Sequence, residues 1–268
     1  MMKTTNKLMR KIIFLFAILF VLTPNAFSQT KSNAAKEDIW QNSRQMILVT
    51  TEDWAKVSGV LQRFERKKDE ERWQAVGSPV EIVVGRNGLA WGRGLHPTNF
   101  AGPQKVEGDG KSPAGIFRLS SAFGFASASE MKALKLPYLQ VTGSLECVDD
   151  VKSARYNSMV DRAHIINPDW NSSEKMLEIG GQYRLGVVVD HNTSPRTFGK
   201  GSCIFVHVWK GGGSGTSGCT AMSAEQIQQF VSWLDSTAHP LLVQLPEPEF
   251  KRLQNDWKLP APRISADQ

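Results

Sequence analysis

The chain has 268 residues, 41% of them hydrophobic, and a formal net charge of +6. That is enough for a real core in one large domain or two small ones. Four of the cations fall in residues 1–28, which hold no acid, so the remainder carries only +2 and gives no case for a nucleic-acid partner.

Lys3, Lys7, Arg10 and Lys11 precede an apolar run over residues 12–22, and Ala26-Phe27-Ser28 then sets small residues two apart. This is the pattern of a secretory signal peptide over 1–28, with cleavage expected before Gln29 and export expected to follow. Eleven apolar residues are too few to span a bilayer, which takes about 20, so no stable membrane insertion is expected after cleavage. Residues 29–44 are polar and read as a linker. Residues 45–268 read as a single domain with a C-terminal tail from about 246.

From Gln45 the pattern is short and strand-like. Residues 45–51, 60–64, 73–76 and 80–84 are β-rich, the last two separated by Gly77-Ser78-Pro79. The run Lys67-Lys68-Asp69-Glu70-Glu71-Arg72 mixes both signs and reads as a solvated turn or strand end. Residues 127–136 suggest a short helix, and 183–190 a strand whose Val187-Val188-Val189 centre is buried on both faces. Residues 203–209 alternate, with Ile204, Val206 and Val208 on one face and Cys203, Phe205, His207 and Trp209 on the other. Ser223 and Gln226 form a capping box, and Ile227, Phe230, Val231 and Leu234 follow at helical spacing. Residues 240–245 read as a strand and 250–257 as a last short helix. Short strands punctuated by glycine predict a mainly β fold, a sandwich or barrel with a few short helices.

Three cysteines in an exported chain leave at least one thiol unpaired. Cys147 and Cys203 either pair or are both buried as small apolar residues, and Cys219 is the one expected to stay free. No C-x-x-C or H-x-x-x-H spacing occurs, so neither zinc nor another metal is expected. Residues 203–222, CIFVHVWKGGGSGTSGCTAM, can be read in two ways. Gly213 to Gly218 spells G-x-G-x-x-G, a dinucleotide-binding fingerprint. However, no second βαβ pattern exists to build a parallel sheet, and the helix starts five residues past the last glycine. The other reading is chemical. A thiol attacks as thiolate, an imidazole can take its proton, and a glycine-rich loop lets Cys219 double back to His207. A Cys and His this close in sequence can also be merely structural.

Thr216-Ser217-Gly218-Cys219 with His207 upstream resembles the Ser/Thr-x-Gly-Cys core and leading histidine of the L,D-transpeptidase catalytic domain (YkuD-type) family. Asp109-Gly110-Lys111-Ser112-Pro113-Ala114-Gly115-Ile116-Phe117 looks like a second element of that family, which helps shape its substrate groove. The resemblance spans about residues 47–245 and implies an L,D-transpeptidase-like β-sandwich without cofactor. It also implies a periplasmic or cell-wall setting and cysteine acyl transfer on peptidoglycan stem peptides. Carried over by residue, Cys219 is the nucleophile, His207 the general base, and the backbone around Gly218 the oxyanion hole. Thr216, Ser217 and Pro113 are candidate substrate contacts, as is His96 in its Gly-rich loop. His191 and Asn192 line the same cleft or else form a turn bonded to its own backbone. The chain departs from the family pattern at Ser217, Val208 and Ala221, where many members carry histidine, glycine, and arginine or asparagine. Water as acyl acceptor (an L,D-carboxypeptidase) and a peptidoglycan-binding module without catalysis are the alternatives.

Overall fold

The computed structural model describes residues 42–67 and 72–261, all within one compact unit, residues 39–268. The expected signal peptide, most of the linker and the centre of the 67–72 charge run lie outside the described residues. Of the linker, Ser43 and Arg44 are packed. The Ser43 hydroxyl donates to the Gln45 carbonyl at 3.1 Å, and the Arg44 N–H donates to the Ala238 carbonyl at 2.7 Å.

Thirteen strands form among the described residues. They are β1 (Gln45–Thr51), β2 (Ser58–Glu65), β3 (Gln74–Val83), β4 (Leu89–Trp91), β5 (Ser112–Gly124) and β6 (Tyr138–Gln140). After these come β7 (Leu145–Val148), β8 (Ser158–Asp161), β9 (Ser173–Lys175), β10 (Leu185–Val189), β11 (Phe205–Val208), β12 (Thr220–Met222) and β13 (Leu241–Pro246). Helices α1 (Ala224–Trp233) and α2 (Glu247–Leu253) bracket β13.

The expected mainly β fold, a sandwich or barrel, is built on one continuous sheet. Its order is β10-β11-β12-β3-β2-β1-β13-β5, and β5 pairs back onto β10, so eight strands close on themselves. Closure removes the unpaired edges that an open sheet would expose. β13 is buried along its whole length, because it pairs with β1 on one side and β5 on the other. Strands β8-β7-β9 form a small separate sheet, an insert between β6 and β10.

Three local expectations change. The segments 73–76 and 80–84 are parts of one strand, β3, because Gly77-Ser78-Pro79 bulges out opposite Gln62 instead of ending the ladder. The Gln62 amide fills the gap by donating to the Val76 carbonyl at 3.2 Å. Residues 127–136 form turns, not a helix. The Ser127 N–H and hydroxyl both donate to the Glu130 carboxylate, at 2.8 and 2.6 Å, which satisfies the chain locally without a helical ladder. The last helix starts at Glu247, three residues before the expected position, with a proline in its first turn and Glu247 and Glu249 at its positive end.

The alternation of residues 203–209 separates two cores. Ile204, Val206 and Val208 enter the main core with β1, β5, β13 and α1. Cys203 and Phe205 enter a second core under the insert, with Phe123, Val141, Leu145, Met176 and Tyr183. Cys147 and Cys203 are disulfide-bonded, which fastens β7 of the insert to the chain just before β11.

Candidate active site

Strands β11 and β12 run parallel with His207 opposite Ala221. Continuing that register backwards puts Cys219 opposite Phe205 and on the same face as His207. The Phe205 N–H confirms the placement by donating to Cys219 Sγ at 3.3 Å. The loop between these parallel strands contains no helix, so the G-x-G-x-x-G spelling is not a βαβ dinucleotide unit.

Cys219 is the one free cysteine among the described residues and is only 6% exposed. Its carbonyl is held by two hydroxyls, Ser112 Oγ at 2.7 Å and Thr216 Oγ1 at 2.5 Å. Ser112 Oγ in turn accepts from the Gly85 N–H at 2.8 Å. The segment 109–117 is thus tied physically to the cysteine turn. Asp109 folds it by accepting from the Val106 and Lys111 N–H groups and from Lys105 Nζ, the last at 2.5 Å. Gly115 adopts φ +135°, and a Cβ there would stand 1.9 Å from the His96 ring, which explains the glycine at that position. Replacing Ser112 by alanine leaves the buried Gly85 N–H without its acceptor and the Cys219 carbonyl with one donor. We expect a loss of about 2 kcal/mol of unfolding free energy, read by urea denaturation. A variant as stable as the wild type would show that Ser112 does not anchor the turn.

His207 is 4% exposed, and its Nδ1 donates to the Val208 carbonyl at 2.8 Å. A carbonyl only accepts, so the proton is on Nδ1 and Nε2 carries the lone pair. Burial holds the imidazole down to about 4, which keeps it neutral at physiological pH. Burial also pushes the Cys219 thiol up to about 12. Glu174 reinforces that shift, against the Phe205 N–H, Tyr183 and Lys105.

The Gly218 N–H is occupied by Thr216 Oγ1 at 3.1 Å. Ser217 is exposed and accepts from Arg86 Nη1 at 3.3 Å. Pro113 is buried on β5, its carbonyl accepting from Gln244 Nε2 at 2.9 Å. Three other candidates are framework residues. The Nδ1 of His96 accepts from the Ile116 N–H and its Nε2 donates to the Gly92 carbonyl. His191 bridges the Arg93 N–H and the Lys200 carbonyl in the same manner. Asn192, at φ +55°, spends its whole carboxamide on Thr197 and Gly201. Surface clefts of about 840 and 670 Å³ lie elsewhere, by Trp73 and by Arg184.

A family model for the L,D-transpeptidase catalytic domain matches residues 57–244. The chain belongs to this family. Two solved structures are similar. Bd1075 of Bdellovibrio bacteriovorus has 15% identity and TM-score 0.38, with 81% of this chain and 55% of that one covered. Pgp2, the helical cell shape determining protein of Campylobacter jejuni, has 13% identity and TM-score 0.36, with 80% and 55% covered. The chain thus spans about half the length of these two. No curated protein matches it.

Within this L,D-transpeptidase domain, residues that no motif predicts also converge on the thiol. Tyr183 is 4% exposed and packs edge-on against His207, ring centroids 5.1 Å apart. Lys105 is buried, and its Nζ would stand 3.9 Å from a Cβ on Gly218.

Proposed function

We propose that this chain is an exported L,D-transpeptidase acting on peptidoglycan stem peptides through a Cys219 acyl-enzyme. The observation that carries this reading is that the strand register places Cys219 and His207 on one face, while Ser112 of the second motif clamps the Cys219 carbonyl. Cys219 Sγ attacks the carbonyl at the L-centre of the diamino acid in a tetrapeptide stem. The C–N bond breaks, the terminal D-amino acid leaves, and the acyl group passes to an amine. His207 Nε2 is the general base of this cycle. Because the Gly218 N–H is engaged by Thr216, the backbone donor for the oxyanion is the Cys219 N–H. Among the described residues no helix is long and apolar enough to cross a membrane.

The test is mass spectrometry of products from purified tetrapeptide stems, with and without an amine acceptor. We expect release of the terminal D-amino acid and a crosslinked product. Cys219→Ala should abolish both, and His207→Gln should slow them by about 10²-fold or more. Product formation by Cys219→Ala would sink the reading, and release without crosslinking would make the enzyme a carboxypeptidase.

A further inference from the structure

Three strained stretches of backbone meet beside the thiol. Asn157, Asn192 and Cys203 are three of the five non-glycine residues with positive φ among the described residues, at +56°, +55° and +54°. Asparagine accepts that left-handed conformation readily and cysteine does not, so Cys203 stays in it only because its surroundings hold it there. Its side chain is bonded to Cys147 of the insert. Its N–H donates to Asn157 Oδ1 at 3.0 Å. Asn157 closes the turn from β7 into β8, where its own N–H donates to the Val148 carbonyl at 2.7 Å. Its Nδ2 donates to the His191 and Asn192 carbonyls at 2.9 and 3.0 Å, so the whole carboxamide is spent. One insert side chain thus joins the Cys203 peptide to the segment that follows β10.

Cys203 in turn faces the Cys219 thiol. The thiol donates to the Cys203 carbonyl, with sulfur and oxygen 3.6 Å apart. The Phe205 N–H donates to Sγ at 3.3 Å. Sulfur is therefore held through its proton and through a lone pair, by the two residues that flank Ile204. A cysteine side chain turns about one bond, so these contacts decide whether Sγ stays on the face it shares with His207.

We propose that Asn157 is a positioning residue for Cys219, acting through the Cys203 peptide. This rests on the reading of Cys219 as nucleophile and leaves His207 as its base. The φ of Cys203 sets where its carbonyl points relative to the N–H that Asn157 grips. Without the carboxamide that grip is lost, the strained residue relaxes toward an ordinary φ, and the carbonyl swings off the sulfur. Cys219 then samples rotamers that face away from His207, and the reaction slows although every motif residue is in place. The disulfide holds Cys203 by its side chain; the carboxamide holds it by its peptide.

The S–H stretching band in the infrared tests this without substrate. The chain has three cysteines and two are bonded to each other, so the band of the oxidised protein belongs to Cys219, and Cys219→Ala should remove it. An S–H that donates to a carbonyl absorbs at lower frequency than an unbonded one. Asn157→Gly keeps the left-handed backbone at 157 without strain and deletes only the carboxamide. Its band should shift to higher frequency and broaden. Its kcat for release of the terminal D-amino acid from tetrapeptide stems should fall about 10²-fold, with KM unchanged. Asn157→Asp keeps an acceptor for the Cys203 N–H and loses the donors to the His191 and Asn192 carbonyls. Its band should stay near the wild-type position and its kcat above that of Asn157→Gly, which a role confined to tying down the insert does not predict. Melting temperatures are measured alongside; should Asn157→Gly not fold, Asn157→Asp alone decides. A band that stays in Asn157→Gly, a kcat that stays although the band moves, or a band at the unbonded position in Asn157→Asp overturns the proposal. A band that moves as expected, with no turnover of stem peptides by the wild type, would instead refute the substrate assignment.

Discussion

Replacing Cys147 and Cys203 together by serine is expected to lower the unfolding free energy by about 4 kcal/mol. The bond joins residues 56 apart, and closing a loop of that length removes about this much chain entropy from the unfolded state. The same bond seals a core of limited size. Phe123, Leu145, Met176, Tyr183 and Phe205 pack around it, and the Asn157 carboxamide of the insert accepts from the Cys203 N–H and donates to the His191 and Asn192 carbonyls. Urea denaturation gives the number, and the double serine variant avoids leaving a reactive thiol next to Cys219. A loss below about 1 kcal/mol would show that packing and hydrogen bonds seat the insert without the disulfide.

Stability should also fall steeply on the acid side of neutrality, with a slope set by three buried groups. Burial holds His191 down to about 3 and His207 down to about 4. Their contribution is therefore complete above the unfolded value of about 6.5 and is lost as pH falls toward 4 and then 3. Glu174, raised to about 7, works in the opposite sense. Its contribution is complete below about 4.5 and is lost as pH rises through 7. Between pH 6.5 and 4.5 the unfolded chain binds two more protons at the histidines and one fewer at Glu174. The net is one proton, or about 1.4 kcal/mol per pH unit. Glu174→Gln removes the opposing group, so its slope over the same window should be about twice as steep. Exposed carboxylates such as Asp150 and Asp169, held low by hydrogen bonds, act only below about pH 4. Urea unfolding from pH 8 to 4.5 measures both slopes, and a flat profile would mean that the histidines are not buried neutral.

The parts of the site legible in the sequence were those written as local patterns. Cys219, His207 and the 109–117 segment each sit in a short stretch whose residue types imply chemistry or a turn. The β11 alternation was readable because its two faces enter different cores. Glu174, Tyr183 and Lys105 were not legible. They come from three separate segments, and insert strands of three or four residues are too short to show a period. Tyr183 read only as the start of a strand. His96, His191 and Asn192 looked like open polar groups because a sequence does not show where backbone partners stand. The β3 bulge was missed for a similar reason. Gly-Ser-Pro is usually a stop, and only the Gln62 amide opposite keeps the ladder running.

The second core has a consequence for how the protein matures. It gathers all three cysteines into one apolar cluster. Three thiols allow three pairings, and two of them would consume Cys219. A chain that chose either of those would lose the thiol we propose as nucleophile without losing any mass that distinguishes it from the correct isomer. The turnover per milligram of a preparation is therefore a readout of oxidative fidelity, and titrating the free thiol by position gives the fraction of molecules able to react.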